Sequence, residues 1–183
     1  MGFGSVIAAV FAIMAIIVVM CTVMGVTFVN IKELYNALNK QLELSNERIK
    51  TRMQINNIII DSLDPSTVYV NITNIGSTSI KVEGFNKTDV IVIYTSTTGT
   101  KITARLMYNA SGVGVNIWYV RRVFVNGRED EVINPMNFEN NQGLWDPGET
   151  IEIVLKLEYN VDSSKGFALV ITLPNGARTS HTT

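Results

Sequence analysis

Residues 5–29 contain no charge and no proline, and Ser5, Thr22 and Thr27 carry the only hydroxyl groups among them. As a helix these 25 residues rise roughly 37 Å, while a hydrocarbon core is about 30 Å thick, so the run can cross a bilayer with some tilt. A soluble fold would have to bury such a helix on every side. A cleaved secretory signal has a basic leader and a shorter apolar stretch, whereas here no Lys or Arg precedes Lys32. The expectation is an uncleaved transmembrane anchor over residues 1–30.

Past the apolar run the helical period continues with a different composition. Ile31, Tyr35, Leu38, Leu42, Ile49 and Met53 are spaced 4, 3, 4, 7 and 4 residues apart, and Asn46 fills the gap. An eleven-residue repeat of about 3.67 residues per turn describes a nearly straight helix. A strict heptad would put Gln41, Ser45 and Arg48 at core positions, which a coiled coil does not tolerate well. The spacing predicts an extended amphipathic helix over 31–53. Its stripe would lie either on the chain's own β-domain or on a partner helix, most simply a second copy in a homodimer.

From Ile55 onward β-branched alternation replaces the helical period. Strands are expected at 68–73, 79–83, 89–95, 101–108, 116–125, 150–158 and 167–173. Between them stand turn signals such as Asn74-Ile75-Gly76, Asn126-Gly127, Asp146-Pro147-Gly148 and Pro174-Asn175-Gly176. Short strands at this spacing, with no helical segment between them, point to an immunoglobulin-like antiparallel β-sandwich over 54–175. Residues 129–144 read as a long Asn-rich loop, and 176–183 as a polar, flexible tail.

The charge balance, 15 basic residues against 16 acidic, gives no basic footprint for a nucleic-acid partner. Chemistry-bearing constellations are also missing. The single cysteine, Cys21, lies in the apolar run, and the single histidine, His181, lies near the C-terminal end. A Cys/His zinc site and an intrachain disulfide are therefore both excluded. No serine sits in a nucleophile-elbow pattern, and Ser111-Gly112-Val113-Gly114 lacks the spacing of a phosphate cradle. Glu129-Asp130-Glu131 reads as an exposed acidic turn before it reads as a Ca²⁺ site. Arg121-Arg122, adjacent within one strand, are expected to guard a sheet edge. No catalytic, metal or cofactor residues are assigned, and the chain is not expected to be an enzyme.

Three N-x-[ST] sequons, at Asn71, Asn86 and Asn109, all fall in the β-domain. Asn86 and Asn109 are the better glycan acceptors, because Asn71 lies within an expected strand. The sequons favour an extracytoplasmic domain. The charge distribution points the other way: Lys32, Lys40, Arg48, Lys50 and Arg52 all follow the apolar run, which alone would keep the domain inside.

Three stretches together resemble a known family. They are Met1-Gly2-Phe3-Gly4-Ser5 opening directly into the apolar helix, the strand and turn 68–78 (VYVNITNIGST), and Trp145-Asp146-Pro147-Gly148-Glu149-Thr150 before a late strand. The layout is similar to the archaellum accessory protein F family, FlaF/ArlF. That resemblance implies a single-pass anchor in the archaeal cell membrane with its sandwich outside. There it would bind the surface-layer protein and other archaellum components as part of a stator, without cofactor or catalytic residues. An archaellin or pilin-like filament subunit shares the helix-then-β-domain plan. A membrane-tethered adhesin or binding module is the other alternative.

Overall fold

A computed structural model describes residues 2–129, 135–138, 140 and 142–182. The first element is helix α1, Phe3–Lys50. The chain divides at Ser45/Asn46 into two compact units.

In the first unit the apolar side chains of α1 are exposed, Phe3 and Phe28 most of all. Two hydroxyl groups in that stretch bond back to the helix's own carbonyls. Thr22 Oγ1 donates to the carbonyls of Val18 (2.7 Å) and Val19 (3.0 Å), and Thr27 Oγ1 to that of Val23 (2.8 Å). A helix of this length and hydropathy can cross a membrane, and its hydroxyls then need no water.

Among the described residues the second unit holds ten strands: β1 Met53–Ile60, β2 Thr67–Asn74, β3 Ile80–Lys81, β4 Asp89–Thr95, β5 Lys101–Tyr108, β6 Ile117–Phe124, β7 Leu144–Trp145, β8 Thr150–Lys156, β9 Phe167–Thr172 and β10 Arg178–Thr182. The order β1-β2-β8-β6-β5-β4-β9-β10 resolves into two antiparallel sheets. These are β1-β2-β8-β6 and β5-β4-β9-β10, with the A-B-E-D and C′-C-F-G arrangement of an immunoglobulin-like sandwich. They are joined where β5 and β6 run parallel for two residues, Met107 opposite Ile117 and Tyr108 opposite Trp118. Small strands β3 and β7 pair with each other at one end.

Alternation fills the core. Val68, Val70 and Ile72 of β2 and Ile151, Ile153 and Leu155 of β8 face Val90, Val92 and Tyr94 of β4 and Phe167, Leu169 and Ile171 of β9, all buried. The segment 79–83, expected as a strand, keeps only two strand residues. Val82–Lys87 is a 3₁₀ turn, because Val82 and Phe85, three residues apart, both point into the core. The Phe85 ring meets Trp118, Tyr108 and Trp145 at centroid distances of 5.6, 5.9 and 6.5 Å and closes that end of the core.

Two bulges keep the inward phase. In β1 the register shifts between Ile55 and Asn57, so that Met53 and Ile55, then Ile58 and Ile60, face the core and Asn56 and Asn57 are exposed. In β6 the shift falls between Val120 and Arg122. Neither Arg121 nor Arg122 therefore points inward. Both reach Glu152 Oε1 on the outer face, Arg121 through Nη1 and Arg122 through Nε, at 3.2 Å each.

Two sequence expectations are corrected here. The segment 176–183 is not a flexible tail: residues 178–182 form β10, paired along β9 from Arg178↔Thr172 to Thr182↔Ala168. Its polar Arg-Thr-Ser-His-Thr sequence suits an edge strand and hides the strand from an apolar pattern. His181 accordingly sits in a ladder, opposite Leu169. Met53 is not the last residue of the helical stripe either. α1 ends at Lys50, and the Met53 side chain opens β1 and packs into the core. Within the 129–144 segment, residues 130–134, 139 and 141 lie outside the described residues, and with them Asp130 and Glu131 of the acidic turn. Glu129 pairs with Arg122 at 3.4 Å.

The β1 bulge makes a direct prediction. Deleting Asn57 removes the extra residue and keeps Ile58 and Ile60 inward, whereas inserting an alanine between Asn57 and Ile58 in the detergent-solubilised protein would turn both to the outer face or shift the pairing with β2. Denaturant titration should then show a loss of several kcal/mol, of the order of two large-to-small core substitutions. Asn57→Ala should stay within about 0.5 kcal/mol of wild type.

Candidate functional site

The residues that stand out by chemistry gather at one corner of the sandwich, where the last turn of α1 meets the turn after β2. Asn74 closes β2 and is fully buried. Its Oδ1 accepts the Gly76 N–H at 3.0 Å, making the local Asx turn that an Asn favours. Its Nδ2 donates to the carbonyls of Thr78 (3.1 Å) and Trp145 (3.0 Å). One side chain thus satisfies three main-chain groups that would otherwise be stranded at a buried turn.

The Trp145–Glu149 segment completes the corner. The Trp145 indole N–H donates to the Glu149 carbonyl at 2.9 Å, and the Asp146 N–H donates to Glu149 Oε2 at 2.7 Å. The Asn74 N–H donates to the Glu149 carbonyl, and the Gly148 N–H to the Asn74 carbonyl. The two sequence stretches singled out for their motifs, 68–78 and 145–150, therefore interlock. Glu149 is buried, and burial pushes its carboxyl above the ordinary value; the nearby Asp146 charge adds to the rise, and the Asp146 N–H bond opposes it.

This corner grips the helix end. The Ser77 N–H donates to the Lys50 carbonyl and the Ile75 N–H to the Arg52 carbonyl, both at 2.9 Å. Gly76 lies against the same segment: a Cβ there would overlap the Lys50 carbonyl oxygen and sit 2.7 Å from the Arg52 nitrogen. On the other side Asn175 Nδ2 donates to Thr51 Oγ1 at 2.9 Å, and Thr51 Oγ1 itself donates to the Glu47 carbonyl at 2.8 Å. The terminal carbonyls of a helix lack intrahelical partners; here β-turn amides supply them.

Beside the helix end opens a cleft of about 370 Å³. Ile80, Leu173 and Pro174 form its apolar lining, and Glu47, Glu83, Lys81 and Lys87 bring charges of both signs. Among the described residues no group of three or more His, Cys, Asp or Glu could hold a metal ion.

The other expected site residues are scattered. Of the helical stripe, Ile31, Tyr35, Leu38, Leu42 and Ile49 are exposed. Of the sequons, Asn86 is exposed on the 3₁₀ turn. Asn109 follows β5, its Nδ2 bonded to the Val113 carbonyl at 2.8 Å and its Oδ1 to Ser111 Oγ at 2.8 Å. Asn71 lies mid-strand in β2 with Oδ1 buried and without a partner among the described residues. The corner motifs stand in the sequence, but their meeting does not show there. The signal available was a Gly two residues after an Asn at a strand end, which calls for a side-chain-capped turn.

Fold and corner together define a class: an apolar helix carrying a sandwich head, with its chemistry spent on structure. The family model of archaeal-type flagellin matches residues 2–183. The chain belongs to the archaeal-type flagellin family, a family of structural components of the archaellum. No curated protein matches it by sequence. Among solved structures it is similar to the archaeal flagellum of Methanospirillum hungatei strain JF1, at 13% identity and a TM-score of 0.50, over 96% of this chain and 90% of that one. It is also similar to two structures from Sulfolobus acidocaldarius, each at 21% identity, a TM-score of 0.48 and 73% of this chain. One is the archaellum periplasmic stator protein complex FlaF and FlaG, with 89% of that chain covered, and the other the stator protein FlaG, with 99%.

Two measurements test the corner. Gly76→Ala should cost about 1–3 kcal/mol, because the added methyl has main chain on two sides and nowhere to relax. Loss of amide protection at Ser77 and Ile75 in hydrogen exchange should accompany it. Replacing Glu149 by Gln should make the stability gap pH-dependent. The folded-state pKa is raised, so the acid form favours folding. The wild type should lose ground against Glu149→Gln as pH rises from below 4.5 through the folded-state pKa. A gap that stays constant over that range would mean the carboxylate is as well solvated folded as unfolded.

Proposed function

We propose that this protein is a non-catalytic, membrane-anchored stator component of the archaellum, with its sandwich outside the cell membrane and bound to the surface-layer protein. The observation that carries this reading is the grip of the corner on the helix end. Main-chain bonds from Ser77 and Ile75 to Lys50 and Arg52 join the last helical turn to the head without a linker. A tether that must resist a rotating filament needs such a join, whereas a recruiting module works well on a flexible stalk. The sequons at Asn86 and Asn109 support the outside orientation as glycan acceptors. The domain division read from the sequence belongs to the same proposal, with the head beginning at Met53. So does a homodimer formed along Ile31, Tyr35, Leu38, Leu42 and Ile49, and so do contacts with other archaellum components.

A filament subunit is the second reading. It is favoured by the family's description and by the likeness to an archaeal flagellum over 96% of the chain. An exposed helical stripe would then pack into a filament core rather than a pair.

Topology and location separate these readings. A cysteine at Ser163, exposed in the turn before β9, should react with a membrane-impermeant maleimide on intact cells. After shearing, the protein should stay with the envelope and co-purify with surface-layer protein. Labelling only after lysis would overturn the outside orientation. Recovery as a major subunit of sheared filaments would overturn the stator role in favour of the filament.

A further inference from the structure

The chain has two Asn-Gly pairs, Asn126-Gly127 and Asn175-Gly176. An Asn-Gly pair is the peptide sequence most prone to spontaneous rearrangement, because glycine leaves the attacking amide nitrogen unhindered. Both pairs sit at the tips of tight turns, yet their surroundings differ at every atom that the reaction uses.

At the first pair, Val125 and Arg128 exchange two main-chain hydrogen bonds, Val125 N–H to the Arg128 carbonyl at 2.8 Å and the reverse at 3.0 Å. Asn126 and Gly127 are the two loop residues, with φ of 51° and 77°. This is the type I′ turn that Asn-Gly favours between twisted strands. Both residues are exposed. The Gly127 N–H and the Asn126 side chain have no hydrogen-bond partner among the described residues. Gly127 has no neighbour within 4 Å of where a Cβ would be.

At the second pair every reacting group is engaged. The nucleophile, Gly176 N–H, donates to the Leu173 carbonyl at 2.9 Å. Asn175 Nδ2 donates to Thr51 Oγ1 at 2.9 Å, and Asn175 Oδ1 accepts the Ala177 N–H at 3.0 Å. Exposing this asparagine to attack means detaching the β9–β10 turn from the end of α1.

We infer that Asn126 is a site of spontaneous deamidation in the folded protein and that Asn175 is protected by its contact with the helix end. The Gly127 main-chain nitrogen attacks Asn126 Cγ. The new N–C bond closes a five-membered succinimide, the Cγ–Nδ2 bond breaks, and ammonia leaves with the proton lost from Gly127. Water then opens the ring at either carbonyl, giving aspartate or isoaspartate. Each product adds one negative charge beside Arg128. Aspartate keeps the turn, since Asp-Gly suits the same geometry. Isoaspartate inserts an extra carbon into the main chain at the point that fixes the 125–128 register, and so loosens the tip beyond β6.

The test uses the full chain in detergent, held at mildly alkaline pH, then digested with trypsin. Cleavage releases peptides 123–128 and 166–178, each containing one pair. Exchange of an amide NH₂ for OH is read by mass spectrometry, and isoaspartate by its shifted elution. In the folded protein, 123–128 should convert on the order of tenfold faster than 166–178, because its turn opens locally while the other is tied to the fold. In urea both should convert at similar rates. Thr51→Val should speed conversion of 166–178 selectively, and Asn126→Asp should remove the reaction at the first site with the fold intact. Equal rates in the folded protein, or a Thr51→Val variant with no effect on 166–178, would overturn the inference. So would 123–128 remaining unconverted while folded and reacting only in urea.

Discussion

Everything distinctive about the head depends on where the helix's last carbonyls find their donors. A helix leaves its final carbonyl groups without intrahelical partners, and burying them unsatisfied is costly. Here the Ser77 amide reaches the carbonyl of Lys50, the last helical residue, and the Ile75 amide that of Arg52, two residues past it. That requirement shapes the turn. The chain must approach closely, so residue 76 has to be glycine, and the turn must be stiff, so Asn74 is buried and bonded on both ends of its amide. Trp145 and Glu149 then follow as the surface on which Asn74 rests. A single end-capping problem thus fixes the geometry of three separate stretches of sequence.

The rest of the sandwich handles a different conflict, between a sealed core and polar residues that interrupt the alternation. Asn56-Asn57 and Arg121-Arg122 would each put a polar side chain into the core if the strand ran straight. One extra residue in β1 and one in β6 restore the inward phase, and the displaced side chains acquire work on the outside. Both arginines converge on Glu152, and Arg121 lies over the Tyr69 ring at 5.2 Å. Such partly exposed pairs contribute little to stability, and their effect is to set which face the strand presents. Bulges also spoil an edge for pairing with another chain, which matters for β6, whose pairing with β5 covers only two residues.

The sequence revealed those parts of the architecture whose energetics are local. The apolar run, the helix to within three residues of its end, and the strands at 89–95 and 101–108 follow from composition and period alone. What escaped is set by non-local partners. β10 carries no apolar alternation, because its stability comes from the ladder with β9. Met53 fits the helical stripe by spacing, and only the pairing with Asn74 shows that it belongs to a strand. The 3₁₀ turn at Val82–Lys87 is decided by Phe85 finding Trp118, Tyr108 and Trp145, residues distant in sequence. The corner was half visible: its motifs could be quoted, but nothing local says that 74–78 and 145–149 meet, or that the helix end is what they hold.

The junction of helix and head is written almost entirely in main-chain atoms, and main-chain atoms are the same in every residue except proline. Of the residues that make it, Gly76 is restricted by space, and Asn74, Thr51 and Asn175 by their side-chain bonds. Lys50, Arg52, Ile75 and Ser77 contribute a carbonyl or an amide that almost any residue would contribute equally. The information needed to specify the join is therefore very small. A chain could exchange most of its side chains around this point, adapting its outer faces to new surroundings, and still keep the last helical turn bonded to the turn after β2.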